Sequence, residues 1–230
     1  MAKRSYFITG TDTGVGKTLV SAAILEAANA QGRRTLAMKP IASGCDETAE
    51  GLRNEDAVML MASMSESLSY EQVNPIALKP AIAPHVAAAQ EDRRLAAERL
   101  VGFCRGLQMH PGDLMLVEGA GGWRVPLNDR ETYARVPQAL DMPVIMVVPL
   151  RLGCINHALL TAEAIRSDGL ALAGWVANRP DPEAMSCEGD TLNYLLGHLG
   201  APCLGVLPWQ PTPDPKALAE NLVVDVLFEN

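Results

Sequence analysis

Paired cysteines, basic runs and long apolar stretches are all missing from this chain, and each gap removes a class of function. The five cysteines, Cys45, Cys104, Cys154, Cys187 and Cys203, are scattered and odd in number. They form no C-x-x-C or Cys/His cluster, so zinc and iron–sulfur spacing is excluded and reduced thiols of a cytoplasmic protein are expected. The longest apolar run, MPVIMVVPL at 142–150, falls far short of the roughly 20 residues of a membrane span. MAKRSYFITG places only three apolar residues after its two basic ones, which is not a signal peptide. With a net charge of −8 and no cluster of Lys or Arg, the chain lacks the phosphate contacts on which nucleic-acid binding depends. The expected partners therefore include neither nucleic acid nor a membrane.

What is present is an alternation. Apolar runs at 4–10, 34–40, 113–122, 142–150, 170–179 and 201–208 end in Gly, Pro, Asn or charge. Helical patterns fall between most of them, at 17–32, 56–63, 91–107, 155–168 and 189–199. Continuous apolar strands alternating with amphipathic helices predict an α/β fold, a mostly parallel sheet flanked by helices on both faces. No linker, repeat or composition shift divides the chain, so 1–230 reads as one domain, large enough to need no disulfide or metal staple. LPWQPTPDPK at 207–216 reads as irregular surface.

In such sheets ligands gather outside the carboxyl ends of the strands. The first of these ends is GTDTGVGKT, residues 10–18. It almost fits the P-loop pattern G-x-x-x-x-G-K-[ST], but five places before Gly16 stands Thr11. The context still suits phosphate: a buried strand, a turn whose glycines aim backbone N–H groups inward, then a helix N-terminus. Lys17 is placed to reach the β/γ-phosphates and Thr18 to offer its hydroxyl to Mg²⁺. A deviant class carries a further lysine five places before Lys17; here that residue is Asp12.

Other strand ends carry reactive groups. Lys39 closes the second strand, as exposed trim or as a working cation, and Ser43 follows it. Asp56 is a helix-start residue or a metal ligand. Glu118 ends LMLVE before GAGGW, where a Mg²⁺-ligating acid is expected, directly or through water. RLGCINHALLTAEAI at 151–165 opens a long helix with Gly and Asn, as a cap or as an anion site. Asn178 ends GWVAN, where its amide can read a base edge.

FITGTDTGVGKT, KPIASG, GLRNEDA, VEGAGGW, LGCINHALLTAEAI, GWVAN and GVLPW, in this order, resemble the dethiobiotin synthetase family over about residues 5–209. The resemblance implies a homodimeric, Mg²⁺-dependent P-loop NTPase-like ligase with its active site near the dimer interface. Its co-substrate would be ATP, and it would convert 7,8-diaminopelargonate and CO₂ to dethiobiotin through a carbamate. It implies catalytic roles for Lys17, Lys39 and Thr11, and Mg²⁺ ligation by Thr18, Asp56 and Glu118. Nucleotide contacts fall on Gly14, Val15, Gly16, Lys17, Thr18, Leu19, Asp56, Glu118, Gly119, Ala120, Gly121, Asn178, Arg179, Leu207, Pro208 and Trp209. Substrate contacts fall on Thr11, Lys39, Ser43 and, at the partner's helix start, Gly153, Cys154, Ile155 and Asn156. The hydroxyl at Thr11 then accounts for the altered entrance of the loop. A glutamine-dependent amide ligase of the cobyrinate type and an ATP-switched partitioning protein are the competing readings. The first needs a glutaminase domain that 230 residues do not accommodate. The second fits poorly with the acidic charge and the missing additional lysine.

Overall fold

The computed structural model describes residues 3–229. Along the chain, β1 (Arg4–Gly10) runs through the glycine-rich turn into α1 (Lys17–Ala30), and β2 (Thr35–Met38) follows. Short elements come next: β3 (Ile41–Ser43), β4 (Asp46–Thr48), β5 (Gly51–Arg53), α2 (Glu55–Ser63), α3 (Tyr70–Val73), β6 (Ile76–Leu78) and α4 (Pro84–Gln90). Helices and strands then alternate: α5 (Ala97–Gln108), β7 (Leu114–Glu118), α6 (Arg135–Leu140), β8 (Val144–Pro149) and α7 (Cys154–Ser167). β9 (Leu172–Asn178), α8 (Glu188–His198), β10 (Cys203–Leu207) and α9 (Pro215–Ala219) complete the series, with a 3₁₀ turn at Asp225–Leu227.

Six strands form the central sheet in the order β10-β9-β8-β1-β7-β2, and all its pairings are parallel. Helices cover both faces, which is why β7 and β8 are buried at every position and read as unbroken apolar runs. The chain leaves β1 for the β2 edge, returns through β7, and then continues on the other side of β1 through β8. The winding direction therefore reverses around β1, and the crevice of a doubly wound sheet opens at such a reversal. β1 and β7 deliver the glycine-rich turn and Glu118 to it side by side, with Ile8 in register with Glu118.

The largest departures from the sequence reading lie outside this sheet. The helix expected over 91–107 begins only at Ala97. Side chains before it are committed elsewhere: Arg93 donates to the Ala77 carbonyl at 2.7 Å, Glu91 accepts from the Lys79 amide at 2.7 Å, and Asp92 has φ 52°. The parallel pair β3–β6 and the antiparallel pair β4–β5 were not anticipated; each strand has only three residues, too few to show a period. The segment 207–216 is not irregular throughout, because Pro215 starts α9 with Asp214 capping the Lys216 amide at 3.0 Å. Among the described residues no helix is long and apolar enough to cross a membrane.

Gly205 marks where the edge strand β10 is closed off. Its φ is +151°, the pairing with β9 shifts register between Cys203 and Gly205, and the residue bridges to Leu222 in the C-terminal segment. A Cβ there would fall onto the Asn221 carbonyl oxygen. Gly205→Ala is expected to lower the unfolding free energy by at least about 2 kcal/mol, read as an earlier midpoint in urea denaturation.

Candidate active site

At the carboxyl ends of β1, β2 and β7 lies a cavity of about 810 Å³. Its polar side is built from Gly14, Gly16, Lys17, Thr18, Lys39, Asp56 and Glu118; Ile41, Met59, Ile82, Pro84 and Val125 form an apolar wall. Leu19, Ser43, Ala120 and Gly121 also line it.

α1 starts with Gly16 at φ 91°, a conformation that other residues adopt at a cost, and no acidic residue stands in its first turn. A Cβ on Gly16 would also collide with the Asn178 amide nitrogen. The N-terminus of α1 thus presents its partial positive charge and free N–H groups at the cavity without a side chain in front of them. Asn178, at the end of β9, donates from Nδ2 to the Val15 carbonyl at 2.9 Å and so braces the loop from behind.

Two lysines serve different ends of this cradle. The Lys17 ammonium donates to the Asp12 carbonyl at 3.1 Å. Burial lowers its pKa from 10.5 to about 8, against the opposing pull of Glu118. Lys39, just past β2, is 6% exposed. It donates to Asp56 and, at 2.7 Å, to Glu118 Oε1. Burial acts to lower its pKa, but Glu118 and Asp56 together outweigh that and hold it above its ordinary value. Burial likewise acts to raise the Asp56 carboxyl, and Lys39, with help from Thr18 and Lys17, holds it below the usual range. Glu118 is 1% exposed; its Oε1 also accepts from Thr18 Oγ1 at 2.8 Å, and its Oε2 from Ser21 Oγ at 3.0 Å. Two ammonium groups and two carboxylates therefore meet within one crevice, and each anion lies next to a cation or a hydroxyl donor.

The other predicted residues lie around this centre. Thr11, Val15 and Gly119 do not line the cavity. The Thr11 N–H donates to the Val147 carbonyl at 3.2 Å, and the Gly119 N–H to the Ile8 carbonyl at 2.9 Å. Thr11 Oγ1, Ser43 Oγ and Asn178 Oδ1 are buried without a hydrogen-bond partner among the described residues. Asn178, Arg179, Leu207, Pro208 and Trp209 sit together at the ends of β9 and β10, on the far side of the P-loop from Lys39. The Arg179 guanidinium is occupied by Glu188 at 2.6 Å, Leu207 is fully buried, and Trp209 is exposed. Gly153, Cys154, Ile155 and Asn156 start α7 and do not line the cavity of their own chain; Cys154 is buried and Asn156 exposed. Arg151, just before them, pairs with Asp12 at 3.5 Å.

Sequence reasoning passed over Ser21, although a serine three places after Thr18 in an otherwise apolar stretch shares its helix face. It also missed Thr13 and the apolar wall, which is assembled from β3, α2, the start of α4 and two loops, and has no single period. The loop after β7 is tied down outside the cavity: Asp168, beyond α7, accepts from Trp123 Nε1 at 2.7 Å and from both terminal nitrogens of Arg124, at 2.6 and 3.0 Å.

A parallel sheet that offers a glycine loop, a helix N-terminus and a buried lysine at its winding reversal defines a P-loop nucleoside triphosphatase. Solved structures agree on the fold. A ParA family ATPase from Chlorobium tepidum TLS aligns over 99% of this chain and 92% of its own, with TM-score 0.56 and 15% identity. The signal recognition particle receptor FtsY from Elizabethkingia anophelis aligns over all of this chain and 65% of its own, at TM-score 0.53 and 14% identity. The AAA domain family profile matches residues 4–217. Curated relatives are nearer: a protein of Marinobacter nauticus is 68% identical over the full length of both chains, and one of Cellvibrio japonicus 56%, also over the full length. One of Pseudomonas aeruginosa is 53% identical over 95% of each chain, and all three bear the name ATP-dependent dethiobiotin synthetase BioD. The chain belongs to the dethiobiotin synthetase family, and it is an ATP-dependent ligase.

The lysines should separate in a stability measurement on metal-free, nucleotide-free protein. Lys39→Ala strips Glu118 of its buried cation and is expected to cost about 3 kcal/mol. Lys17→Ala removes a desolvated charge held by one carbonyl and should be close to neutral near pH 7. The folded protein releases the Lys17 proton near pH 8, whereas the unfolded chain keeps it to 10.5. The unfolded state binds more protons across that window, so wild-type stability gains with rising pH relative to Lys17→Ala. Urea titrations of both variants from pH 7 to 10 read each difference directly.

Proposed function

We propose that this ligase carboxylates 7,8-diaminopelargonate with CO₂ and closes the product to dethiobiotin, releasing ADP and phosphate, the penultimate step of biotin synthesis. The observation that carries the reading is the convergence of Lys17, Lys39, Thr18, Asp56 and Glu118 on one cavity beside the P-loop, in a chain 68% identical to a named dethiobiotin synthetase. One amine of the substrate attacks CO₂ and loses a proton, giving a carbamate. A carbamate oxygen then attacks the γ-phosphorus of ATP, ADP leaves, and a carbamic-phosphoric anhydride results. The second amine attacks the carbonyl carbon and gives up a proton, phosphate departs with the electron pair of the broken C–O bond, and the cyclic urea is complete.

Each step gathers negative charge where this chain has placed its donors. In this reading Gly14 to Leu19 cradle the phosphates, Lys17 neutralises charge passing to the β/γ-phosphates, and Lys39 steadies the carbamate as it becomes a nucleophile. The orphaned hydroxyls of Thr11 and Ser43 are available to the carbamate and substrate. The free Oδ1 of Asn178 suits the exocyclic amine of adenine, with Gly119, Ala120, Gly121, Arg179, Leu207, Pro208 and Trp209 bordering the nucleotide. The apolar wall suits an aliphatic chain, and Gly153 to Asn156, contributed by a partner in a homodimer, suit its carboxylate. Thr18, Asp56 and Glu118 form a hard oxygen donor set that fits Mg²⁺. Bound there, the ion supplies Lewis-acid charge at the phosphates. We assign these roles to one domain, 1–230, acting in the cytoplasm.

Purified protein should release phosphate from ATP only when the diamine and bicarbonate are both present, and labelled bicarbonate should appear in a cyclic urea. Phosphate release provoked instead by DNA or lipid would favour a switch ATPase and sink this reading. Lys17→Ala and Lys39→Ala should each lower kcat by about 10²–10³-fold.

A further inference from the structure

Glu118 is gripped on both carboxylate oxygens, and the second grip comes from the interior of α1. Oε1 receives Thr18 at 2.8 Å and Lys39 at 2.7 Å, both cavity-lining residues. Oε2 receives Ser21 Oγ at 3.0 Å, from a residue that is 0% exposed and does not line the cavity. The same hydroxyl lies 2.9 Å from the Lys17 carbonyl. A hydroxyl carries one proton, so it cannot serve both acceptors at once. Serines inside helices ordinarily bond back to the carbonyl four residues earlier. Here the competing acceptor is a buried carboxylate at nearly the same distance, 3.0 against 2.9 Å, and a hydrogen bond to an ionised acceptor is the stronger of the two.

We infer that Ser21 is a positioning residue for the metal site: its hydroxyl pins one oxygen of Glu118 and so fixes the tilt at which the other meets Thr18 and Lys39. The terminal torsion of a glutamate is broad, so burial alone does not fix the tilt of the carboxylate plane. Thr18 and Ser21, three residues apart, stand on one face of α1. Through them the helix that begins at the P-loop holds the strand-end acid by both oxygens. The phosphate cradle and the carboxylate are thereby set in register by two hydroxyls of a single element. The inference rests on the reading of Glu118 as a Mg²⁺ ligand.

Calorimetric titration of a non-hydrolysable ATP analogue over a Mg²⁺ series, and again in EDTA, tests it without turnover. Ser21→Ala is expected to raise the Mg²⁺ concentration for half-maximal nucleotide binding by about ten-fold or more, the usual range for partners that orient a metal ligand. Affinity in EDTA should stay within about two-fold of wild type, because the loop itself is untouched. Ser21→Cys keeps the side-chain volume with a weak donor and should follow Ala; it carries the same comparison if Ser21→Ala does not fold. An unchanged Mg²⁺ response in both variants, with Glu118→Gln shifted, overturns the role of Ser21 alone. An equal loss with Mg²⁺ and in EDTA also overturns it, in favour of plain helix packing. If Glu118→Gln leaves the Mg²⁺ response unmoved as well, the metal reading falls and takes this inference with it.

Discussion

The site is organised by a charge that water does not reach. Glu118 ends β7 at 1% exposure, where an isolated carboxylate, cut off from water, would be costly. Its partners make it tolerable: Lys39 from the end of β2, Thr18 and Ser21 from α1. Lys39 comes from the end of β2 and both hydroxyls from α1, so the carboxylate meets these partners only when β2, β7 and α1 are assembled. Fold and site are here one construction. Buried ion pairs contribute little net stability compared with apolar packing. Their retention at this spot fits a cavity that must meet a polyanion and a cation.

That construction divides labour among the strand ends. The loop after β1 provides backbone donors, and its own acid, Asp12, takes only the Thr13 amide and the Arg151 guanidinium. β2 and β7 provide a cation and an anion on the side away from β9. Asn178 does its bracing from outside, through the Val15 carbonyl, while its other amide atom remains free. The deviation at Thr11 sits where β1 ends against β8, with its amide held by the Val147 carbonyl. The missing outer glycine therefore costs the loop no anchorage.

Legibility in the sequence followed periodicity. The six sheet strands and the helices α1, α2, α7 and α8 announce themselves by apolar runs or helical spacing, and Gly16-Lys17-Thr18 and Glu118 stand where strands stop. Arg93 and Glu91 mislead, because they are good helix formers that are drawn off to Ala77 and Lys79. The three-residue strands β3 to β6 are invisible for want of length. Ile82 and Val125 reach the cavity from loops, and no local pattern says which way a loop side chain turns. Ser21 shows the opposite lesson: the signal was present, a polar residue on an apolar face, but its partner lay 97 residues away.

The tie at Asp168 gives α7 a mechanical character. At about 1.5 Å per residue its 14 residues make a rod roughly 21 Å long. Arg151 leans on Asp12 beside one end, while Asp168 grips Trp123 and Arg124 beyond the other. The rod thus links the P-loop to the part of the loop after β7 that lies outside the cavity. The segment from Arg151 to Asp168 is therefore tied at both of its ends to loops that leave neighbouring strands of the sheet, the one after β1 and the one after β7.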